Sequence, residues 1–201
     1  MKGRTEDLFS VGQGGEITYG PSKGNGIIFF DLETQRSFEE VGGRGNIREL
    51  GMSVGVTLNE TTDEVKVYRE NEVEELIDAL SGAKLVVGFN IVSFDFEVLR
   101  RYTPLNLKSI PALDMLSAIY GRLGFRVSLQ GLAGATLGLT KSGSGLDAVL
   151  WYREGKWDKL IDYCRRDVEI TQSLYHFGKA RGYLIYWDLK TKAKKRVGVD
   201  W

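Results

Sequence analysis

Histidine and cysteine are almost missing from this chain of 201 residues, which contains one of each. A zinc site built from clustered cysteine and histidine ligands needs more of both, so that class of site is excluded. Cys164 has no second cysteine to pair with, so a disulfide within the chain is excluded as well. Any mechanism that needs a histidine base has to use His176 or use none.

The chain also lacks an excess of charge and a long apolar run. Its 27 basic and 27 acidic residues give a formal net charge of zero, which argues against a protein that coats nucleic acid non-specifically. An enzyme that grips a few phosphates is compatible with this balance. No segment reaches the ~18 apolar residues of a membrane span, and residues 1–24 lack the apolar core of a signal peptide. We therefore expect a cytoplasmic protein.

Glycine, in contrast, is abundant: 25 residues of 201 exceed the usual share of about 7%. We predict a glycine-rich N-terminal arm over residues 1–24 and glycine-rich loops over 37–46 and 139–148. The length suits one large domain, which we place at residues 25–201. Its last part, about 183–201, is a basic tail rich in aromatic residues. That tail is explained either by binding of single strands or by a hairpin that packs on the domain.

The apolar run Ile27–Phe30 ends in Asp31 and predicts a central strand buried on both faces. Strands over 50–58 and 64–68 complete an antiparallel three-strand meander. The order of elements predicts an α/β three-layer fold with a mixed central sheet and helices on both faces. The remaining predicted elements are helices at 71–80, 94–102, 114–123, 128–137 and 157–179, and strands at 84–89 and 110–113.

Carboxylates are plentiful, and they suit hard cations such as Mg²⁺ and Mn²⁺. Asp31 and Glu33 alternate along the first strand and therefore point to the same face. Two buried carboxylates side by side repel each other, and a divalent cation removes that conflict. Taken alone, the pair is also explained by a strand that leaves the core and becomes polar.

Two further acidic signals follow along the chain. Asp95 lies in the first turn of a predicted helix, after a strand and a turn through Asn90. Tyr163 and Asp167 are four residues apart in the longest predicted helix, so they share one face. Each signal alone has a simpler reading, because acids favour helix N-termini and such a pair arises by chance.

In this order and context, the three signals resemble the DEDD superfamily of 3′–5′ exonucleases, in particular its tyrosine-containing (DEDDy) subgroup. The family pattern is Asp-x-Glu on the first strand, an Asp after a strand-to-helix turn, and Tyr-x-x-x-Asp on a late helix. The resemblance covers roughly residues 25–180 and implies an RNase H-like fold. The chain also looks like helicase-associated or stand-alone prokaryotic members. Five positions match the pattern: Asp31, Glu33, Asp95, Tyr163 and Asp167.

The resemblance implies phosphodiester hydrolysis with two divalent cations, Mg²⁺ or Mn²⁺, about 3.5–4 Å apart. Asp31 would bridge both metals, while Glu33 and Asp167 would complete the site that holds the nucleophilic water. Asp95 would support the second metal, and Tyr163 would orient the attacking water. The sister subgroup has a histidine just before its last Asp; here the single histidine follows Asp167 by nine residues.

The substrate that the resemblance implies is single-stranded DNA or RNA with a free 3′ end, and a helicase or polymerase is a candidate protein partner. Two alternatives stay open: a structure-selective endonuclease on the same fold, and a non-catalytic nucleic-acid-binding module of a helicase or polymerase assembly. The candidate substrate contacts are Thr34, Asn90, Phe94, Lys141 and Arg166.

Overall fold

The structure is a computed structural model, and it describes residues 9–11, 17–19, 26–139 and 144–201. Two short strands, β1 (Phe9–Val11) and β2 (Ile17–Tyr19), pair antiparallel within the predicted arm. The rest of that arm and Lys141, one of the predicted substrate contacts, lie outside the described residues.

A five-stranded mixed sheet forms the centre of the fold, as predicted. Its strands are β3 (Ile27–Thr34), β4 (Met52–Asn59), β5 (Val65–Arg69), β6 (Leu85–Gly88) and β7 (Ala112–Asp114). Their order is β5-β4-β3-β6-β7, with β4 antiparallel to both of its neighbours and with β3, β6 and β7 parallel to one another. The parallel strands therefore end at the same edge of the sheet.

Strand β3 is buried on both faces, as its apolar run predicts. It continues beyond that run through Asp31 and Glu33 to Thr34, so the two acids lie on the strand, as their predicted alternation requires. Pairing with β4 is regular up to Glu33, and the register then shifts at an irregularity between Glu33 and Thr34. Because side chains alternate, Asp31 and Glu33 point to the same side as Phe29.

Helices cover both faces of the sheet and enclose two apolar cores. The helices are α1 (Val73–Ser81), α2 (Asp95–Leu99), α3 (Met115–Leu123), α4 (Leu129–Thr136), α5 (Gly145–Arg153) and α6 (Trp157–Arg181), with 3-10 helices at Arg44–Leu50, Glu70–Glu72 and Leu107–Ser109. One core, around Phe29 and Val87, is closed by α3 to α6, and the other, around Phe30 and Val86, is closed by α1 and α2. Among the described residues, no helix is long and apolar enough to cross a membrane.

Three predicted boundaries are wrong. The loop expected over 139–148 contains the start of α5, whose N-terminus is fixed by a capping box between Ser144 and Asp147 and by burial of Ala148. The glycines of this segment suggested a loop and hid that signal. Residues 44–50 form a 3-10 helix, which delays the second strand of the meander to Met52. Helix α2 is short and ends at Leu99.

The basic tail forms an antiparallel hairpin of β8 (Tyr183–Asp188) and β9 (Ala193–Gly198). Leu184 and Val197 are buried in the core that contains α6, so the hairpin packs on the domain. The Thr136 hydroxyl at the end of α4 accepts from the Ile185 backbone N–H at 2.9 Å and donates to the Ile185 carbonyl at 2.8 Å. This pair of bonds joins α4 to the free edge of β8.

Candidate active site

Three carboxylates from distant parts of the chain meet above β3. One carboxyl oxygen each of Asp31, Glu33 and Asp167 lies within 4.8 Å of the other two. The first two side chains come from β3, and the third comes from α6, which crosses the same face of the sheet. Glu33 and Asp167 are buried, and Asp31 is partly exposed. We call these three residues the acid cluster.

Asp95 lies beside the acid cluster, but it is not one of the three residues whose carboxyl oxygens lie within 4.8 Å of one another. It begins α2, is 2% exposed, and its Oδ1 accepts a hydrogen bond of 3.0 Å from the backbone N–H of Leu32 in β3. Its charge is near enough to raise the pKa of both Asp31 and Glu33. The structure therefore brings all four predicted acids to one place.

The turn that precedes Asp95 is held by an acid that the sequence did not assign to the site. The carboxylate of Asp114, at the end of β7, accepts backbone N–H bonds from Asn90 at 2.9 Å, Val92 at 3.1 Å and Ser117 at 3.1 Å. Asn90 has a φ of 72°, a conformation that asparagine tolerates better than most residues. Asp114 thus connects this turn to the start of α3.

The four acids hold their protons more tightly than isolated carboxyls do, because burial and repulsion between neighbouring carboxylates both disfavour the charged forms. Burial contributes most, followed by neighbouring carboxylates, and together they raise the pKa of Asp31 and of Glu33 well above their usual values. Burial also raises the pKa of Asp95 to about 7 and that of Asp167 to about 6. Such crowding of carboxylates is what a bound cation relieves.

Tyr163 lies one helical turn before Asp167 and donates its hydroxyl hydrogen bond to that carboxylate. Burial, and then the neighbouring acids, raise its pKa far above the usual value, so this phenol keeps its proton. The ring of Trp151 meets the Tyr163 ring edge-on at 5.8 Å. Trp151 belongs to α5, the helix that sequence patterns missed, so this support was not foreseen.

Two more side chains support the acid cluster. The Gln130 amide donates to Asp167 Oδ1 at 2.8 Å; nothing in the sequence links these residues, because they are 37 positions apart. Cys164 is buried, as expected for a small core residue, and its sulfur lies 3.4 Å from the Asp31 carbonyl oxygen. His176 lies elsewhere, against the rings of Phe29 and Tyr175.

Two predicted substrate contacts, Asn90 and Phe94, lie in the turn before Asp95. The Asn90 side-chain oxygen accepts a hydrogen bond of 2.8 Å from Arg126, an exposed side chain that the sequence did not single out. The Phe94 ring is partly buried and packs at 5.9 Å from the ring of Phe38. Arg126 therefore adds a positive charge beside this turn.

The other described candidates for substrate contact differ in exposure. Thr34 is buried, and its hydroxyl donates to the Arg36 carbonyl at 3.0 Å. Arg166 is exposed on α6, and its charge helps to lower the pKa of the neighbouring Asp167 against the effect of burial. The Arg166 side chain is therefore available to a ligand, whereas the Thr34 hydroxyl is engaged within the protein.

The donor set of the acid cluster fits a divalent cation. All three side chains offer carboxylate oxygens, the ligand type that Mg²⁺ and Mn²⁺ prefer. Their spacing lets one ion contact all three without a large rearrangement. Burial raises the pKa of all three carboxyls, and repulsion by neighbouring carboxylates adds to this at Asp31 and Glu33.

Comparison with protein families agrees with this geometry. The family model of the RNase_H superfamily matches residues 28–177, which run from the second residue of β3 to within the last two turns of α6. The chain belongs to the RNase H superfamily. Its mixed five-stranded sheet with helices on both faces is the RNase H-like fold that the resemblance implied. Comparison with curated proteins gave no match. Membership in the RNase H superfamily suggests a nuclease-type function on nucleic acid, and the buried acid cluster is compatible with divalent metal binding.

Proposed function

We propose that this protein is a metal-dependent 3′–5′ exonuclease of the DEDDy type that acts on single-stranded nucleic acid. The observation that carries the proposal is the meeting of Asp31, Glu33 and Asp167 within 4.8 Å. Two further features support it. Asp95 lies beside the cluster, and the Tyr163 hydroxyl is hydrogen-bonded to Asp167. These five side chains match the five positions of the resemblance.

Each side chain has a stated task in this proposal. Asp31, Glu33, Asp95 and Asp167 hold two divalent cations, which when bound stabilise the charge of the attacking and leaving oxygens. Tyr163 keeps its proton, so it orients the attacking water by a hydrogen bond and does not serve as a base. Gln130 and Trp151 keep Asp167 and Tyr163 in place.

A 5′-labelled single-stranded oligonucleotide tests the activity directly. With Mg²⁺ or Mn²⁺ we expect a ladder of products that shorten from the 3′ end, and we expect Asp31→Asn to abolish it. Asp162→Asn, an exposed acid on the same helix as Asp167, is the matched control and should retain activity. Ladder formation that survives Asp31→Asn would refute the mechanism.

A circular single strand separates the two nuclease hypotheses, because an exonuclease has no end to start from. Cleavage of the circle by the wild-type protein would favour the structure-selective endonuclease. Binding without any hydrolysis, on DNA and RNA and with both metals, would favour the non-catalytic module. Parallel DNA and RNA substrates also identify the preferred sugar.

A further inference from the structure

The β8–β9 hairpin has an outer face that the proposed active site does not use. Cross-strand pairing places Ile185 opposite Arg196 and Trp187 opposite Lys194. These four residues alternate with the buried Leu184, Tyr186 and Val197, so they point away from the core. We call Ile185, Trp187, Lys194 and Arg196 the outer face.

The hairpin concentrates positive charge in a chain that is neutral overall. Residues 183–201 contain five basic and two acidic side chains, which leaves the rest of the chain with a net negative charge. Lys195 is paired with Asp188. Within the described part of the chain, no ion pair compensates the other four basic residues of the hairpin. Lys194 donates to the neutral Ala135 carbonyl at 3.3 Å, and Arg196 lies 4.2 Å from the centre of the Tyr183 ring.

A large aromatic side chain accompanies this charge. Trp187 is 50% exposed on the outer face, next to Lys194. Exposed aromatic rings beside basic side chains are the combination with which proteins bind single-stranded nucleic acid, because bases stack on the rings and phosphates meet the cations. An apolar protein surface would not explain the basic side chains that lack an ion-pair partner, because it offers them no negative charge.

Helix α4 relates the hairpin to the acid cluster. Gln130, in its first turn, contacts Asp167, while Thr136, in its last turn, binds the backbone of Ile185. Six residues of α-helix span about 9 Å. The outer face is therefore carried by a strand that meets α4, at Ile185, one short helix away from the cluster, within reach of a chain of a few nucleotides.

We propose that the outer face binds single-stranded nucleic acid a few nucleotides before the 3′ end that the acid cluster holds. Bases stack on Trp187, and phosphates contact Lys194 and Arg196. The proposal rests on the proposed function, since the bound strand is the substrate of that site. The hairpin lies beyond residues 28–177, which match the superfamily model, so the proposal does not follow from that match.

Binding of labelled oligothymidine and oligouridine of about 16 nucleotides to the full chain in EDTA tests the proposal without hydrolysis. We expect Trp187→Ala to weaken binding between about fivefold and a hundredfold, with an unchanged salt dependence. Lys194→Gln should reduce the slope of log K against log salt by about 0.7. Lys84→Gln, an exposed lysine just before β6 and outside the outer face, is the control and should change neither.

If Trp187→Ala and Lys194→Gln both bind the oligonucleotides as tightly as the wild-type protein, the proposal is overturned. That result would favour a protein partner for the outer face. If either variant fails to fold, tryptophan fluorescence provides a second measurement: the oligonucleotide should quench the wild-type protein more strongly than Trp187→Phe. Equal quenching in both also overturns the proposal. These binding assays need no catalysis, so they separate the two proposals. If the wild-type protein hydrolyses the strand but the variants bind normally, the hairpin proposal alone is refuted. If the variants bind more weakly but no hydrolysis occurs, the exonuclease proposal alone is refuted.

Discussion

Removing one charge from the acid cluster should stabilise the metal-free protein. Burial raises the pKa of Asp167 from 3.8 to about 6, against the opposing effects of its hydrogen bonds from Tyr163 and Gln130 and of the Arg166 charge. Each pKa unit corresponds to 1.36 kcal/mol, so the ionised carboxylate costs the folded state about 3 kcal/mol. Asparagine has the same shape and no charge, and its oxygen can still accept from Gln130.

The pH dependence of this effect has a definite sign. A raised folded-state pKa means that the folded protein holds its proton more tightly than the unfolded chain, so stability falls as pH rises from about 3.8 to about 6. Above pH 7 the full cost is present, and Asp167→Asn removes it. Near pH 4 the folded carboxyl is protonated and the unfolded one is only about half ionised, so little of the cost remains and the substitution should have only a small effect.

Thermal unfolding in EDTA measures this prediction. For a chain of this size, about 3 kcal/mol corresponds to a rise in Tm of about 6–12 °C above pH 7. Asp162→Asn, an exposed position on the same helix, is the matched control and should leave Tm nearly unchanged. A lower Tm for Asp167→Asn above pH 7, or an equal gain near pH 4, would refute the electrostatic reasoning.

Three further predictions concern metal binding and the residues that position the turn before Asp95. Mg²⁺ or Mn²⁺ at a hundred times its dissociation constant should stabilise the wild-type protein by about 2.7 kcal/mol in thermal unfolding, and a Tm insensitive to either ion would contradict the metal site. Asp114→Ala leaves three backbone N–H groups without their acceptor, so denaturant titration should show a loss of at least about 2 kcal/mol and the nuclease assay lower activity. Gly88→Ala places a methyl group 2.2 Å from Ile91 Cγ2 and 2.8 Å from the Phe30 carbonyl oxygen; we expect a loss of about 1–3 kcal/mol, and wild-type stability would show that the turn can shift.

The sequence predicted the parts of the fold that depend on local patterns. The apolar run before Asp31 indicated a strand buried on both faces, and the structure places Phe29 in one core and Phe30 in the other. The alternation of Asp31 and Glu33 and the helical spacing of Tyr163 and Asp167 each predicted a shared face. These are short-range rules, because strand and helix geometry fix them within a few residues.

The missed features depend on contacts between distant segments. Gln130 and Trp151 support Asp167 and Tyr163 through packing of α4 and α5 on α6, and no periodicity in the sequence encodes such a meeting. Helix α5 was missed because the glycines on either side of Ser144 outweighed its capping signal. The domain boundaries and the substrate contacts stay predictions.

A net charge of zero conceals a separation of charge that suits an enzyme acting on a polyanion. The acid cluster and Asp95 gather negative charge at the carboxyl ends of the parallel strands, while the hairpin gathers positive charge at the far end of α4. Two divalent cations would offset four carboxylates, and the loaded protein would then carry about +4. The hairpin charge would no longer be opposed by the site, so metal binding and strand binding should strengthen each other. The zero net charge of the sequence therefore argues against a non-specific coat and is compatible with an enzyme that holds a few phosphates, because the balance counts acids that cations would neutralise.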